Sequence, residues 1–175
     1  LSFMGTIQSP RTGNISIGYG ELNIDNYELS PNYSVVETQW NKGCEKNWVF
    51  YGNNNVIYQW FPLTIGNIIK REKGMDDKPD LFLEIKEQKQ MPEFFRHVRG
   101  SSNGFEFDNE VWFICHVVEY CQPREYYHFF AIFDKDTMKI NRWSNLFKYE
   151  GEKIEYSLGL IVEEKRIIVS HSKWD

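Results

Sequence analysis

Three polar clusters, spaced about 55 residues apart and each leading into a strand, a turn and a second strand, constrain this chain more than any other feature. The first is Glu45-Lys46-Asn47-Trp48, ahead of a hairpin turning at Gly52 to Asn55. The second is Arg99-Gly100-Ser101-Ser102, ahead of a turn at Asp108-Asn109 and the apolar run Val111 to Val118. The third is Glu155, ahead of a turn at Glu163-Glu164. Positions 45 and 99 lie 54 apart, and positions 99 and 155 lie 56 apart. A β-propeller blade is a small antiparallel sheet repeated radially, and it leaves this kind of period. The spacing therefore predicts an all-β fold built from β-propeller blades.

Strand patterns fill in the repeats. Ile15, Ile17 and Tyr19 alternate with polar or small residues, Leu22 to Ile24 continue past Gly20, and Asp25-Asn26 and Ser30-Pro31-Asn32 break the chain before a strand over Val35 to Trp40. The second repeat reads as Trp48 to Tyr51, Val56 to Trp60, Leu63 to Ile69 and Leu81 to Ile85, with an exposed charged loop over Lys70 to Lys78. The third reads as Phe94 to Ser102, Val111 to Val118, Tyr126 to Phe133 and Met138 to Trp143. The fourth has one hairpin, Ile154 to Ile161 and Arg166 to Ser170. This makes roughly three to three and a half blades in a single domain over residues 1–175. Propeller rings hold about four to eight blades. The expectation is that the chain is a fragment, with at least one further blade ahead of Leu1.

Composition narrows the partners. Six Trp, 10 Tyr and 13 Phe suit strands and stacking on flat ligands, whereas a single alanine, Ala131, argues against a helical protein. A net charge of -5 gives no general attraction to nucleic acid or to an anionic membrane. The chain lacks an apolar run of about 18 residues, so no membrane span is expected. Cys44, Cys115 and Cys121 lack metal-ligand spacing, and their odd number fits buried, reduced thiols in a cytoplasmic setting.

Several strings carry a resemblance: Cys44-Glu45-Lys46-Asn47-Trp48, Tyr58-Gln59-Trp60-Phe61-Pro62-Leu63, Arg99-Gly100-Ser101-Ser102, Tyr127-His128 and Ile154-Glu155-Tyr156-Ser157-Leu158-Gly159. Together they resemble uncharacterised five-bladed propellers of large DNA viruses and microbes. Those proteins often occur beside or fused to glycosyltransferases and are similar to the five-bladed glycoside hydrolases. The resemblance implies a carbohydrate-active domain, a glycan or sugar nucleotide as ligand, an adjoining glycosyltransferase domain as partner, and virion association as an alternative to the cytoplasm.

Residue chemistry gives a compatible reading. The innermost strands of a propeller line a central funnel, so polar residues recurring at their entrances converge. Glu45, Lys46, Asn47, Arg99 and Glu155 hold such positions, with His116 and His171 in second strands one period of 55 apart, and His128 opening a third strand. Carboxylates, cations and aromatic platforms such as Trp48 or Trp60 suit sugar hydroxyls and rings. Glu45 and Glu155 are the candidate catalytic pair, since glycosidic chemistry needs one acid and one base or nucleophile, and Asp175 is a third candidate. Lys46, Asn47, Trp48, Arg99, His116, His128 and Asp175 are the candidate ligand contacts. The structural alternative pairs Glu45 with Arg99 and Glu155 with Lys46. His116, His128 and Glu119 form no H-x-H or H-E-x-x-H motif, and neither a metal nor another cofactor is expected. Ser101 and Ser102 lack the G-x-S-x-G surroundings of a nucleophile elbow. Two functions follow: glycosyl hydrolysis or transfer, or a non-catalytic module that binds glycan or protein.

Overall fold

The structure is a computed structural model that describes residues 2–10, 12–26, 28–29, 34–40, 42–52, 54–70 and 81–174. Among these residues the chain is all-β, with one 3-10 turn and no α-helix. It opens with the antiparallel pair β1 (Ser2–Gln8) and β2 (Ile15–Asn23), and β2 in turn pairs with β3 (Glu28–Leu29) and β4 (Ser34–Glu37). β5 (Val49–Tyr51), β6 (Asn55–Trp60), β7 (Leu63–Lys70) and β8 (Leu81–Lys89) follow, with β5 antiparallel to β6. After the 3-10 turn η1 (Glu93–His97) come β9 (Arg99–Gly100), β10 (Phe105–Phe107), β11 (Glu110–Glu119), β12 (Glu125–Asp134) and β13 (Ile140–Trp143). Here β11 pairs with β9 and β10 as well as with β12, which passes on to β13. β14 (Glu155–Glu163) and β15 (Arg166–Lys173) close the chain as a hairpin. An all-β chain of such sheets is compatible with a propeller-like fold.

Two compact units divide the chain, one of residues 1–46 and 66–85, the other of residues 47–65 and 86–175. In the first unit Ile17, Val36, Ile68, Leu81 and Leu83 are buried, the inward half of period-two strands. Its β4 runs parallel to β8 through Val36↔Leu81 and Glu37↔Phe82, so the first and second repeats share a ladder instead of standing as separate blades. Gly66 is fixed by close packing, because a Cβ there would lie 2.5 Å from the Glu84 carbonyl oxygen. The alternation at Ile15 to Tyr19 belongs to a single nine-residue strand, and β1 is its partner.

In the second unit the core joins Trp60, Phe95, Phe113, Phe129 and Phe133 with Val49, Ile57, Leu63 and Ala131. Edge-on contacts between Trp60 and Phe113 (5.4 Å) and between Phe113 and Phe133 (5.7 Å) tie β6, β11 and β12 together. Asp108 and Asn109 both take positive φ, 49° and 61°, the geometry of a tight hairpin turn with residues that tolerate it.

Where Phe94 to Ser102 reads as one strand, the structure has η1, then a two-residue β9 and a bulge. Burial of Phe95 between Trp60 and Phe129 (ring centroids 6.5 and 5.9 Å) pins a turn that local pattern does not require. The amides of Ser101 and Ser102 both donate to the Ile114 carbonyl, and the buried Ser102 hydroxyl accepts from the Ile114 N–H at 2.8 Å. That hydroxyl supplies the acceptor that a regular ladder would have provided. β4 ends at Glu37 and β13 begins at Ile140, shorter than the runs expected to Trp40 and from Met138. Only Cys115 is a buried thiol; Cys44 and Cys121 are exposed, which corrects the expectation for those two. Among the described residues no helix is long and apolar enough to cross a membrane. The loop expected over Lys70 to Lys78 lies, beyond Lys70 itself, outside the described residues, as do residues 30–33 and Asp175.

Candidate functional site

The first unit contains a cavity of about 260 Å³ whose wall is more polar than apolar. Ser9, Thr12, Ser16 and Thr38 contribute hydroxyls, Asn14 an amide, Glu37 and Glu45 carboxylates and Lys42 an ammonium, with Val35 and Val36 as the apolar part. Local hydrogen bonds shape one wall. The Ser9 amide donates to the Asn14 carbonyl and the Gly13 amide to the Ser9 carbonyl, both at 2.8 Å, which closes a turn at positive φ (72°) where glycine has no steric cost. Ile15 pairs with Cys44 in a parallel bridge, and the Glu45 amide donates to the Ile15 carbonyl at 2.9 Å.

These contacts hold the Glu45 backbone against β2, and its side chain, only 8% exposed, turns to the cavity, where Thr38 Oγ1 donates to Oε1 at 3.4 Å. The Thr38 hydroxyl also accepts from the Trp40 amide at 3.2 Å, and the Lys42 ammonium lies 5.7 Å from the Trp40 ring centre. An exposed indole thus borders the same loop. Of the predicted residues in this unit, Glu45 lines the cavity and Lys46 is an exposed neighbour.

The second unit gathers three other predicted residues in one rung. Arg99 on β9 faces His116 on β11, and His116 faces His128 on β12, so all three share a sheet face. His116 is buried, with Nδ1 2.8 Å from the Ser101 hydroxyl and its ring near Tyr126 and Tyr156. His128 is fully buried, with Nδ1 3.2 Å from the Ser157 hydroxyl, which is itself 2.8 Å from the Tyr149 hydroxyl. Burial drives the His128 pKa down to about 4, so the ring is neutral at ordinary pH. Tyr149 stacks on His171 at 4.4 Å between ring centres.

Glu155 sits beside this rung with no exposed surface. Its Oε2 accepts from the Tyr149 amide at 2.7 Å, and its Oε1 from the amides of Glu150 and Glu152 at 2.8 and 3.0 Å. Burial is the largest influence and opposes the charge. The three peptide N–H groups together outweigh it and hold the carboxyl below its ordinary range. Both oxygens are engaged in closing the 149–152 loop, the work of a structural carboxylate.

Asn47 uses its tolerance of positive φ (62°) where the chain enters β5. Trp48 is 7% exposed and packs edge-on to Tyr58 at 5.3 Å, and Trp60 is 3% exposed, so each ring is core and presents little face to a sugar. Asp175 lies outside the described residues.

Sequence reasoning did not single out Glu37, Thr38 or Lys42. The signal was present in the polar loop that runs from the end of β4 toward Glu45, since loops placed by a rigid sheet carry binding groups. Strand and cavity together define an all-β protein with a polar, two-carboxylate pocket. Comparison with protein families, with characterised proteins and with solved structures finds no match for the chain.

Proposed function

We propose that this chain is a glycan-binding module made of blades of the five-bladed propeller type, and that the cavity of the first unit is its sugar site. One observation carries the reading: four hydroxyls, an amide, an ammonium and the carboxylates of Glu37 and Glu45 line a single pocket. Sugar hydroxyls donate and accept together, and a wall that mixes acceptors with donors matches them. Trp40, 37% exposed at the loop that carries Thr38 and Lys42, supplies an apolar face of the kind a pyranose ring covers.

Glycosyl hydrolysis or transfer is the second reading, favoured by the presence of two carboxylates in that pocket. Glu45 then works with Glu37, since the oxygens of Glu155 are taken by peptide N–H groups. Thermal unfolding in the presence of a panel of mono- and oligosaccharides tests the proposal, because a ligand selective for the folded state raises the melting temperature. A saturable shift that Glu45→Gln weakens by about tenfold or more in affinity is the expected result. A panel that leaves the melting temperature unchanged overturns it. Release of nitrophenol from aryl glycosides, lost in Glu37→Gln and in Glu45→Gln, would move the assignment from binding to catalysis.

A further inference from the structure

In the second unit η1, β9 and the end of β11 enclose a separate cavity of about 230 Å³ lined by Arg96, His97, Val98, Arg99, Val118 and Tyr120. Its cations differ in how they are spent. Arg96 is committed to Glu93, with Nε donating to Oε1 and Nη2 donating to Oε2 at 3.1 Å. Arg99 donates through Nη2 to the Tyr120 hydroxyl, and its guanidinium carbon lies 5.8 Å from the centre of that ring. Arg124, on the loop after β11 and outside the lining of the cavity, lies 5.3 Å from the same ring.

Among the described residues neither Arg99 nor Arg124 has a carboxylate within ion-pair distance. The nearby acid Glu119 accepts from the Tyr127 hydroxyl at 3.5 Å. In a chain of net charge -5, two guanidinium groups without an ion pair among the described residues thus lie beside one exposed tyrosine. Val98 and Val118 give the cavity apolar walls, and Gly100 lets β9 sit close: a Cβ there would lie 2.6 Å from Val49 and 3.1 Å from the Asn47 carbonyl oxygen.

We propose that this cleft is a phosphate-binding site, in which Arg99 and Arg124 take the oxygens of a phosphorylated small molecule and Tyr120 holds the two cations in place. Guanidinium forks match phosphate oxygens two at a time, and two uncompensated positive charges favour a group near -2 over a single carboxylate. The site is distinct from the sugar pocket of the first unit and stands or falls independently of it.

Calorimetric titration of the whole chain with inorganic phosphate, pyrophosphate and acetate tests the proposal. The expected result is saturable binding of phosphate and pyrophosphate, acetate at least about tenfold weaker, and a loss of about tenfold or more in phosphate affinity for Arg99→Gln and for Arg124→Gln. Arg124 is exposed, so its variant keeps the test meaningful should the half-buried Arg99 variant fold poorly. Absence of saturable phosphate binding, equal affinity for acetate, or unchanged affinity in the Arg124 variant overturns it. Tighter binding of a hexose phosphate or of a nucleoside diphosphate than of phosphate itself then identifies which source of the group the cleft serves.

Discussion

His128 Nδ1 lies 3.2 Å from the Ser157 hydroxyl, while His128 Nε2 is buried with no hydrogen-bond partner among the described residues. A proton added to this ring would place charge where one of the two N–H groups finds no acceptor. The folded-state pKa of about 4 lies below the ordinary 6.5, so the unfolded chain binds the proton first. Stability is fully present above pH 6.5 and falls as the pH drops toward 4, by roughly 3 kcal/mol from this group. Urea titrations between pH 7 and 4 measure that loss. His128→Asn, which keeps a partner for Ser157 without titrating, is expected to flatten the profile in that window, and an unchanged profile would count against the assignment.

Glu155 gives a second acid-sensitive contribution with its own window. Its carboxyl is held below the usual range, so the stability it provides is present above about pH 4.5 and is lost as pH falls through its lowered pKa. At neutral pH Glu155→Gln replaces one acceptor oxygen by an NH2 that faces peptide donors. The expected loss is roughly 3 kcal/mol, read from the shift in denaturant midpoint. A midpoint within experimental error of the parent would show that the three N–H contacts contribute little.

Gly66→Ala tests the strand packing of the first unit. The added methyl meets a backbone carbonyl oxygen at 2.5 Å, and a backbone cannot swing aside as a side chain does. A loss of about 2 kcal/mol or more is expected in thermal or urea unfolding. A neutral substitution would mean that β7 and β8 lie farther apart than described.

Phe113→Ala removes a fully buried ring that contacts Tyr51, Trp60 and Phe133. The expected cost is about 3–5 kcal/mol, and Phe113→Leu should recover a large part of it.

Thiol labelling separates the cysteines. Cys44 and Cys121 are exposed and should react under native conditions, while Cys115 is enclosed and burial pushes its thiol pKa well up. Two equivalents are expected in the native state and a third only in denaturant; three fast equivalents would contradict the β11 packing.

Most strands of the second, third and fourth repeats were legible because their signals are local, whereas β10 was not read and the run from Phe94 to Ser102 forms only the short β9. Glycine, asparagine and aspartate mark the β5–β6 and β10–β11 turns through positive φ at Gly52, Asn54, Asp108 and Asn109. Periods of two and runs of aromatic residues mark the strands between them. The η1 turn was not legible, since it depends on Phe95 finding Trp60 and Phe129 across the chain. The parallel contact of β4 with β8 was hidden for the same reason, as it joins residues some 45 positions apart.

Site chemistry divides in the same way. Spacing picked out Glu45, Arg99, His116 and Glu155 as polar residues at recurrent strand positions and His128 was named as opening a strand, and three of these share the Arg99–His116–His128 rung. What each residue does was settled by its surroundings: peptide N–H groups close on Glu155, an apolar enclosure discharges His128, and hydroxyls from two loops surround Glu45. By itself the sequence determined the all-β character, the repeat length and the turns, since backbone preference and side-chain alternation act over a few residues. Tertiary structure alone decided which polar groups are buried, which are partnered and which line a cavity, because burial and hydrogen-bond partnership depend on groups brought together from distant parts of the chain.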